Sequence, residues 1–416
     1  MQKHTFLFFL FLLVGLVACQ KPAKKFSTSQ YDPNAKNFSF LKETLKDVQI
    51  LALGESSHGF GTLQTLKTDM IKYLNEELDF DILILQASYG DVFMSWHYKD
   101  ESDDKQMINS FMPYALRSEQ LLPLFTYLKE KSTTVDSMGL AGMDSQITGS
   151  SFNYMLKRII RKLEPRVIRD SIQNGLSMYN KTFQFQDNQE QWQIHMDQFR
   201  SSLDLAKSIL EDGREDILEL EVASEEVVDA LIRSLELLEA ASDYNFGEAF
   251  SKGHAIRDSL MAENVSLIIK NNPGKKVIIW GHNGHIEKAP GEGDDVKWLG
   301  HYLKEIYGDK YYSMGMYAKK GYIFQMSEMK ASVFDLSTTQ FIEGKIDADY
   351  GKNVFIDMPL FDETNTNWVN RPIYGYELES GGQVNFVPSK RFDGVMLLGE
   401  TEATRLLINQ KSQRRG

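Results

Sequence analysis

Residues 48–85 read VQILALGESSHGFGTLQTLKTDMIKYLNEELDFDILIL, and this stretch decides the fold. Two apolar runs, Val48–Leu53 and Asp81–Leu85, are typical of buried β-strands. Between them, Thr62–Leu78 carries leucine or methionine at intervals of three to four residues, which predicts an amphipathic helix. A strand, a crossover helix and a second strand form a βαβ unit, whose two strands run parallel. The predicted fold class is therefore α/β.

The rest of the chain extends this pattern on both sides of a helical block. From residue 150 to residue 272 strand patterns are replaced by long helical ones, over Ser151–Lys162, Gln189–Glu211, Glu225–Ala241 and Glu248–Lys270. Further strand-like runs are Met138–Met143, Lys276–Trp280, Tyr311–Tyr317, Tyr322–Met326, Ser332–Leu336, Val354–Asp357 and Val395–Leu398. We predict a mostly parallel central sheet flanked by helices, built from residues 38–149 and 273–416, with residues 150–272 as a helical insertion or lid.

The charge of the chain argues against nucleic acid as a partner. The formal net charge is −12, and no basic stripe that could bind phosphates is visible. Residues 201–245 hold much of this charge, with 13 acidic and 3 basic side chains, and we interpret them as the solvated face of a helical stretch.

The N-terminus has the pattern of an export signal. A basic start at Lys3 precedes an apolar run, Phe6–Val17, and then the residues Leu16–Cys19, which resemble the lipobox of bacterial lipoproteins. We expect residues 1–18 to be the signal peptide, Cys19 to be lipidated, and residues 19–37 to be a polar tether. The protein would then be extracytoplasmic and anchored to a bacterial membrane. Because Cys19 is the only cysteine, disulfides and cysteine nucleophiles are excluded.

Polar side chains follow four of the predicted strands. Ligands of parallel sheets bind beyond the carboxyl ends of the strands, so these side chains are expected to share one crevice. In chain order they are Glu55, Ser56, Ser57 and His58, then Gln86, then Asp144, Ser145 and Gln146, and finally His282 and His285.

Three kinds of chemistry fit these residues. His58 can take and return a proton near neutral pH, and Glu55 can orient its imidazole. Ser56 or Ser57 can be a nucleophile, although the second glycine of a G-x-S-x-G elbow is missing. In a third hypothesis, the ligands of a zinc or iron ion are Glu55, His58, His282 and His285, although no H-E-x-x-H pattern is present.

Several motifs in order resemble the erythromycin esterase family. They are LALGESSHG (51–59), ILILQAS (82–88), LAGMDSQ (140–146), RDSLMAENV (257–265), WGHNGHI (280–286) and SMGMYAKKGYI (313–323). The resemblance implies hydrolysis of the lactone ester of macrolide antibiotics, and so antibiotic resistance, without a metal or other cofactor. It also implies that His58 activates water, that Glu55 is its partner, and that His282 and His285 assist it or bind substrate.

Other residues complete the predicted site. Arg257 is a candidate to stabilise charge on a carbonyl oxygen, and Asn264 lies on the same helical face. With Gln86, Asp144 and Gln146, Asn264 is expected to bind substrate. Gln86 departs from the family, which usually has glutamate there, and an amide cannot act as a base. Two alternatives therefore stay open: a metal-dependent hydrolase on the same residues, and a non-catalytic ligand-binding lipoprotein.

Overall fold

The computed structural model describes residues 29–30, 37–134, 137–182, 188–248, 251–289, 296–345, 353–358, 368–377 and 382–407. The predicted signal peptide, Cys19 and most of the tether lie outside these residues, so the lipid anchor and the location stay predictions. Within the described ranges, no helix combines the length and the apolar character needed to cross a membrane.

Strands and helices are mixed in the first part of the chain, a block of helices follows, and strands predominate in the last part. The strands are β1 (Ser29–Gln30), β2 (Ile50–Leu53), β3 (Phe80–Ser88), β4 (Gly139–Asp144), β5 (Lys276–Trp280), β6 (Tyr311–Gln325), β7 (Lys330–Asp335), β8 (Asn353–Asp357), β9 (Ile373–Glu377), β10 (Gly382–Phe386) and β11 (Gly394–Thr401). The helices of the first half are α1 (Leu41–Thr44), α2 (Gly61–Leu78), α3 (Tyr89–His97), α4 (Asp104–Phe111), α5 (Leu122–Lys131), α6 (Ser151–Leu163) and α7 (Arg166–Thr182). Those of the second half are α8 (Gln189–Asp212), α9 (Arg214–Glu219), α10 (Glu225–Ala241), α11 (Ser251–Asn271), α12 (Asn283–Ile286), α13 (Leu299–Tyr307) and α14 (Pro388–Arg391).

The central sheet is mainly parallel, as predicted. Its order is β1-β8-β11-β6-β2-β5-β3-β4, with β7 paired to β6, and β9 and β10 form a separate hairpin. All pairings from β11 through β6, β2, β5 and β3 to β4 are parallel, whereas β1, β7 and β8 pair antiparallel to their neighbours. The α/β fold class is confirmed.

Helices cover both faces of the sheet because successive strand residues are apolar on both sides. Leu51 and Leu53 of β2 pack in one core with Leu66 and Met70 of α2. Ile50 and Ala52 of the same strand pack in a second core, which includes residues of α11 and α13. Near-continuous apolar strands of this kind are typical of a parallel sheet that is buried on both faces.

The chain from α6 to α11 is helical wherever the structure describes it. Helices α6 to α10 and α3 enclose a third apolar core, whose largest fully buried side chains are Phe152 and Phe199. The helical character predicted for this stretch is present, and the division of the chain into the stated domains stays a prediction.

Some predicted boundaries are wrong. The runs predicted as two strands around Gly321 form one strand, β6, in which Gly321 has a φ of +127°. Gln86, predicted to follow β3, lies inside that strand. Helix α7 and the β9–β10 hairpin were not among the predicted elements.

Candidate active site

The carboxyl ends of the central strands border a cleft of about 130 Å³. Six of the predicted site residues line it: Glu55, His58, Gln86, Asp144, Gln146 and Arg257. Leu85, Met112, Leu116 and Trp280 supply an apolar wall. The cleft therefore combines ionisable groups with an apolar surface, as small-molecule sites commonly do.

Glu55 and His58 form a short hydrogen-bonded pair in the loop that follows β2. The distance between Glu55 Oε1 and His58 Nδ1 is 2.6 Å. The Glu55 side chain is 1 % exposed, whereas that of His58 is 22 % exposed. The imidazole is thus accessible from the cleft while its carboxylate partner is held inside the protein.

Two buried groups hold the second oxygen of Glu55. Lys67 Nζ donates a hydrogen bond to Glu55 Oε2 at 2.8 Å, and the Trp280 indole N–H donates to the same oxygen at 2.9 Å. Lys67 is fully buried and its ammonium lies 4.4 Å from the Trp280 ring centroid. These contacts fix the carboxylate in one orientation toward His58.

The charge state of Glu55 follows from these neighbours. Burial alone would raise the pKa of Glu55, but the charge of Lys67 and the hydrogen bond with His58 outweigh it and lower the pKa to about 2. An ionised carboxylate only accepts hydrogen bonds, so His58 Nδ1 must be the donor. The lone pair of the neutral imidazole is therefore on Nε2, which makes that nitrogen the base.

Gly54 and Gly59 are needed for close packing, and neither has a positive φ. A Cβ atom at Gly54 would lie 2.0 Å from Asn283 Oδ1, and one at Gly59 would lie 2.2 Å from the Phe324 carbonyl oxygen. Protein atoms therefore fill the space beside both glycines, and a larger side chain would not fit at either position.

Arg257 and Asp144 form a second ion pair at the cleft, although 113 residues separate them in the chain. Arg257 Nε lies 3.0 Å from Asp144 Oδ1, and Nη2 lies 2.5 Å from Oδ2. Burial raises the pKa of Asp144, but Arg257 outweighs this effect and lowers it. The pair fixes the guanidinium at the edge of the cleft, where its side chain is 15 % exposed.

His282 lies beside His58. Their ring centroids are 5.7 Å apart and the rings meet edge to face. Gln86 fixes the backbone here, because its Oε1 accepts a hydrogen bond from His282 N at 2.8 Å. Behind His282, burial raises the pKa of Glu377, but the charges of Arg391 and His282 outweigh burial and lower it.

His282, His285 and Asn264 are not among the residues that line the cleft. His285 Nδ1 contacts the buried Asp258 carboxylate at 2.8 Å, and its ring packs on Trp298. Asn264 is fully buried, where its amide donates to the Met143 carbonyl at 2.8 Å and its Oδ1 accepts from Arg233. Placing Asn264 in the crevice was wrong, because these partners hold its side chain under β4.

The alternatives based on serine and on a metal find little support in the geometry. Ser56 and Ser57 are 1 % and 2 % exposed and do not line the cleft. Within the described ranges of the chain, no group of three or more His, Cys, Asp or Glu side chains is arranged to hold a metal ion. Of the four residues proposed as metal ligands, His285 is directed to Asp258 instead.

Lys67 is a site residue that the sequence pattern did not identify. It is buried together with the neighbouring Leu66 and Thr68. A signal was available, because Lys67 follows the stripe residue Leu66 and lies one helical turn after Leu63, at the edge of the apolar face.

The fold and the site define a class: an α/β protein with a carboxylate–histidine acid–base pair at the carboxyl edge of a parallel sheet. A family model described as "Erythromycin esterase" matches residues 75–401. The chain belongs to the erythromycin esterase family. Glu55 and His58 precede the matched range, so their proposed roles rest on the geometry given above.

Known relatives agree with this class. The chain is 25 % identical over 388 residues to "Putative hydrolase YbfO" of Bacillus subtilis (strain 168), covering 87 % of this chain and 86 % of that protein. It is 22 % identical to "Erythromycin esterase type II" of Escherichia coli, covering 71 % and 75 % of the two chains. A solved structure of a mutant of erythromycin esterase EreC, in its open conformation, matches with a TM-score of 0.60 at 16 % identity. The match covers 91 % of this chain and 97 % of that chain. Family membership supports an esterase-like hydrolase.

Proposed function

We propose that the protein hydrolyses a carboxylic ester or lactone, with His58 removing a proton from the attacking water. The observation that carries this proposal is the buried Lys67–Glu55–His58 arrangement, which ends at the cleft. A buried lysine and a buried carboxylate are costly to desolvate, and this pair orients one accessible imidazole.

The reaction follows from the protonation states. His58 Nε2 takes one proton from water while the water oxygen bonds to the ester carbonyl carbon. The carbonyl oxygen then carries negative charge until the bond to the leaving alkoxide breaks. The imidazolium, stabilised by Glu55, returns the proton to that alkoxide, so the products are a carboxylic acid and an alcohol. For a lactone, both groups stay in one opened molecule.

Arg257 is proposed to donate to the carbonyl oxygen as charge develops there. Its guanidinium carries five N–H groups, of which those on Nε and Nη2 bind Asp144. Donors that are already oriented stabilise a transition state at little reorganisation cost. We propose that His282, beside His58, assists proton transfer, and we assign no direct substrate contact to His285.

The apolar wall of the cleft favours a substrate with hydrocarbon next to the ester. Macrolide lactones fit this description, and the relative from Escherichia coli is named for erythromycin. Cleavage of a macrolide lactone would open its ring and would make resistance to the antibiotic a consequence of this activity. We therefore propose macrolides as one substrate class to assay beside simple esters.

The presence of glutamine at position 86 favours a non-catalytic binding protein. It replaces the glutamate usual in the family, and its amide is engaged by the His282 backbone. The base proposed here is His58 with Glu55, and both are present, so we favour catalysis.

The proposal is tested by hydrolysis assays on the purified protein after exhaustive dialysis against a chelator. A panel of aryl esters, aliphatic lactones and a macrolide is followed by acid release. We expect hydrolysis of at least one class, with activity unchanged by the chelator, because proton transfer at His58 needs no metal. Activity that is lost on chelation and restored by zinc or iron would support the metal-dependent alternative. Binding without turnover of every compound would support the binding protein.

A further inference from the structure

A second cavity, much larger than the catalytic cleft, lies among the helices α6, α7, α8 and α10. Its volume is about 610 Å³, compared with about 130 Å³ for the cleft. Ligand sites typically measure about 300–1,000 Å³, so this cavity has the size of a small-molecule site. Gln146 lines both spaces.

The deep wall of the cavity is apolar. Each of the four helices contributes aliphatic or aromatic side chains, and most of them are buried in the third core. They include Leu156 and Ile160 of α6, Ile172 and Leu176 of α7, Phe199 of α8 and Leu238 of α10. A wall of this composition favours a hydrocarbon chain, which gains free energy by leaving water.

Two cations also line the cavity. Lys157 of α6 is exposed and Arg169 of α7 is partly buried. Among the described residues, neither has a carboxylate within ion-pair distance, although nearby Arg166 pairs with Asp170 at 3.4 Å. Arg169 donates one hydrogen bond to the Arg161 carbonyl at 3.4 Å. On a chain of net charge −12, two cations without a carboxylate partner mark a place for an anion.

We propose that this cavity binds a single-chain anionic amphiphile. Its carboxylate or phosphate head would lie between Lys157 and Arg169, and its hydrocarbon chain would lie along Ile172, Leu176 and Phe199. The proposal does not rest on hydrolysis at His58, so either proposal can fail alone. Erythromycin carries a protonated amine, which these two cations repel, so the cavity selects a different class of molecule.

The experiment is calorimetric titration of the purified protein with dodecanoate, dodecyl phosphate and dodecyltrimethylammonium, all below their micelle concentrations. We expect both anions to bind at least about tenfold more tightly than the cationic amphiphile, a difference of about 1.4 kcal/mol. Carboxylate and phosphate heads are compared directly, so the preferred head group is identified. The variant His58→Asn should bind like the wild type.

Matched variants separate the cavity from general surface charge. Lys157→Gln combined with Arg169→Gln should abolish the preference for anions. The control is Arg161→Gln combined with Lys162→Gln, which removes one arginine and one lysine that are exposed on α6 and do not line the cavity. This control variant should keep the preference for anionic amphiphiles. Leu176→Trp, which fills the cavity, should weaken binding of all three amphiphiles, with thermal unfolding used to verify its fold.

Three results would overturn the proposal. They are no detectable binding of either anion to the wild type, an equal loss of preference in both double variants, and full binding by a folded Leu176→Trp protein.

Discussion

His58→Asn is expected to lower kcat/KM for ester or lactone hydrolysis by about 10²- to 10⁴-fold, the contribution typical of a general base. Asparagine is close in size to the inner part of the imidazole, and its amide can still donate to Glu55 Oε1, but it cannot accept a proton from water. The variant should therefore have a lower kcat, while its substrate binding is largely preserved.

The control for this variant is His97→Asn, which changes an exposed histidine on α3 that packs on Phe93. It should retain wild-type activity. Initial rates over a range of substrate concentrations, together with thermal unfolding of each variant, give the measurement. A folded His58→Asn protein with nearly wild-type kcat/KM would rule out His58 as the base.

Lys67→Met is expected to destabilise the protein by about 3–5 kcal/mol, because it leaves Glu55 buried without its cation. The double variant Glu55→Gln with Lys67→Met removes both charges, so it should recover much of that stability while its activity stays low. Equilibrium denaturation in urea measures the free energy of unfolding of each protein. If Lys67→Met lowers the free energy of unfolding by less than about 1 kcal/mol, the effect lies in the range of exposed ion pairs. That result would contradict the role of Lys67 as the counterion of Glu55.

The stabilisation by Glu55 and Lys67 depends on pH. The pKa of Glu55 is about 2 in the folded protein, below its ordinary value of 4.5. A lowered carboxyl pKa contributes stability that is present above pH 4.5 and is lost as the pH falls toward 2. Without Lys67, only the contact with His58 still offsets burial, so the pKa of Glu55 rises. The difference in free energy of unfolding between the wild type and Lys67→Met should thus be largest near neutral pH and should decrease in acid.

The sequence predicted those features that depend on local patterns. Apolar runs such as Val48–Leu53 and Lys276–Trp280 identified the central parallel strands, because a sheet buried on both faces needs apolar residues at successive positions. The GESSHG loop was identified as part of the site because polar residues followed such a strand. Leu66 and Met70 marked the buried face of α2 correctly.

Features that depend on distant contacts were not accessible in this way. Asp144 and Arg257 meet only because α11 packs near β4, and their partnership has no local signal. The burial of Lys67 could not be predicted from its residue type, since a lysine is rarely buried unless it has a partner, which here is Glu55. Asn264 shares a helical face with Arg257, yet two turns along the helix that face passes under β4, away from the cleft.

The central claim is that Glu55 acts through His58, and a double-mutant cycle in kcat/KM tests it most directly. Glu55→Gln, His58→Asn and the combined variant are assayed on one substrate. Because Glu55 only orients the imidazole and stabilises its cation, the combined variant should be no slower than His58→Asn alone. If the losses of the single variants multiply in the combined protein, Glu55 and His58 act independently and the proposed pair is contradicted.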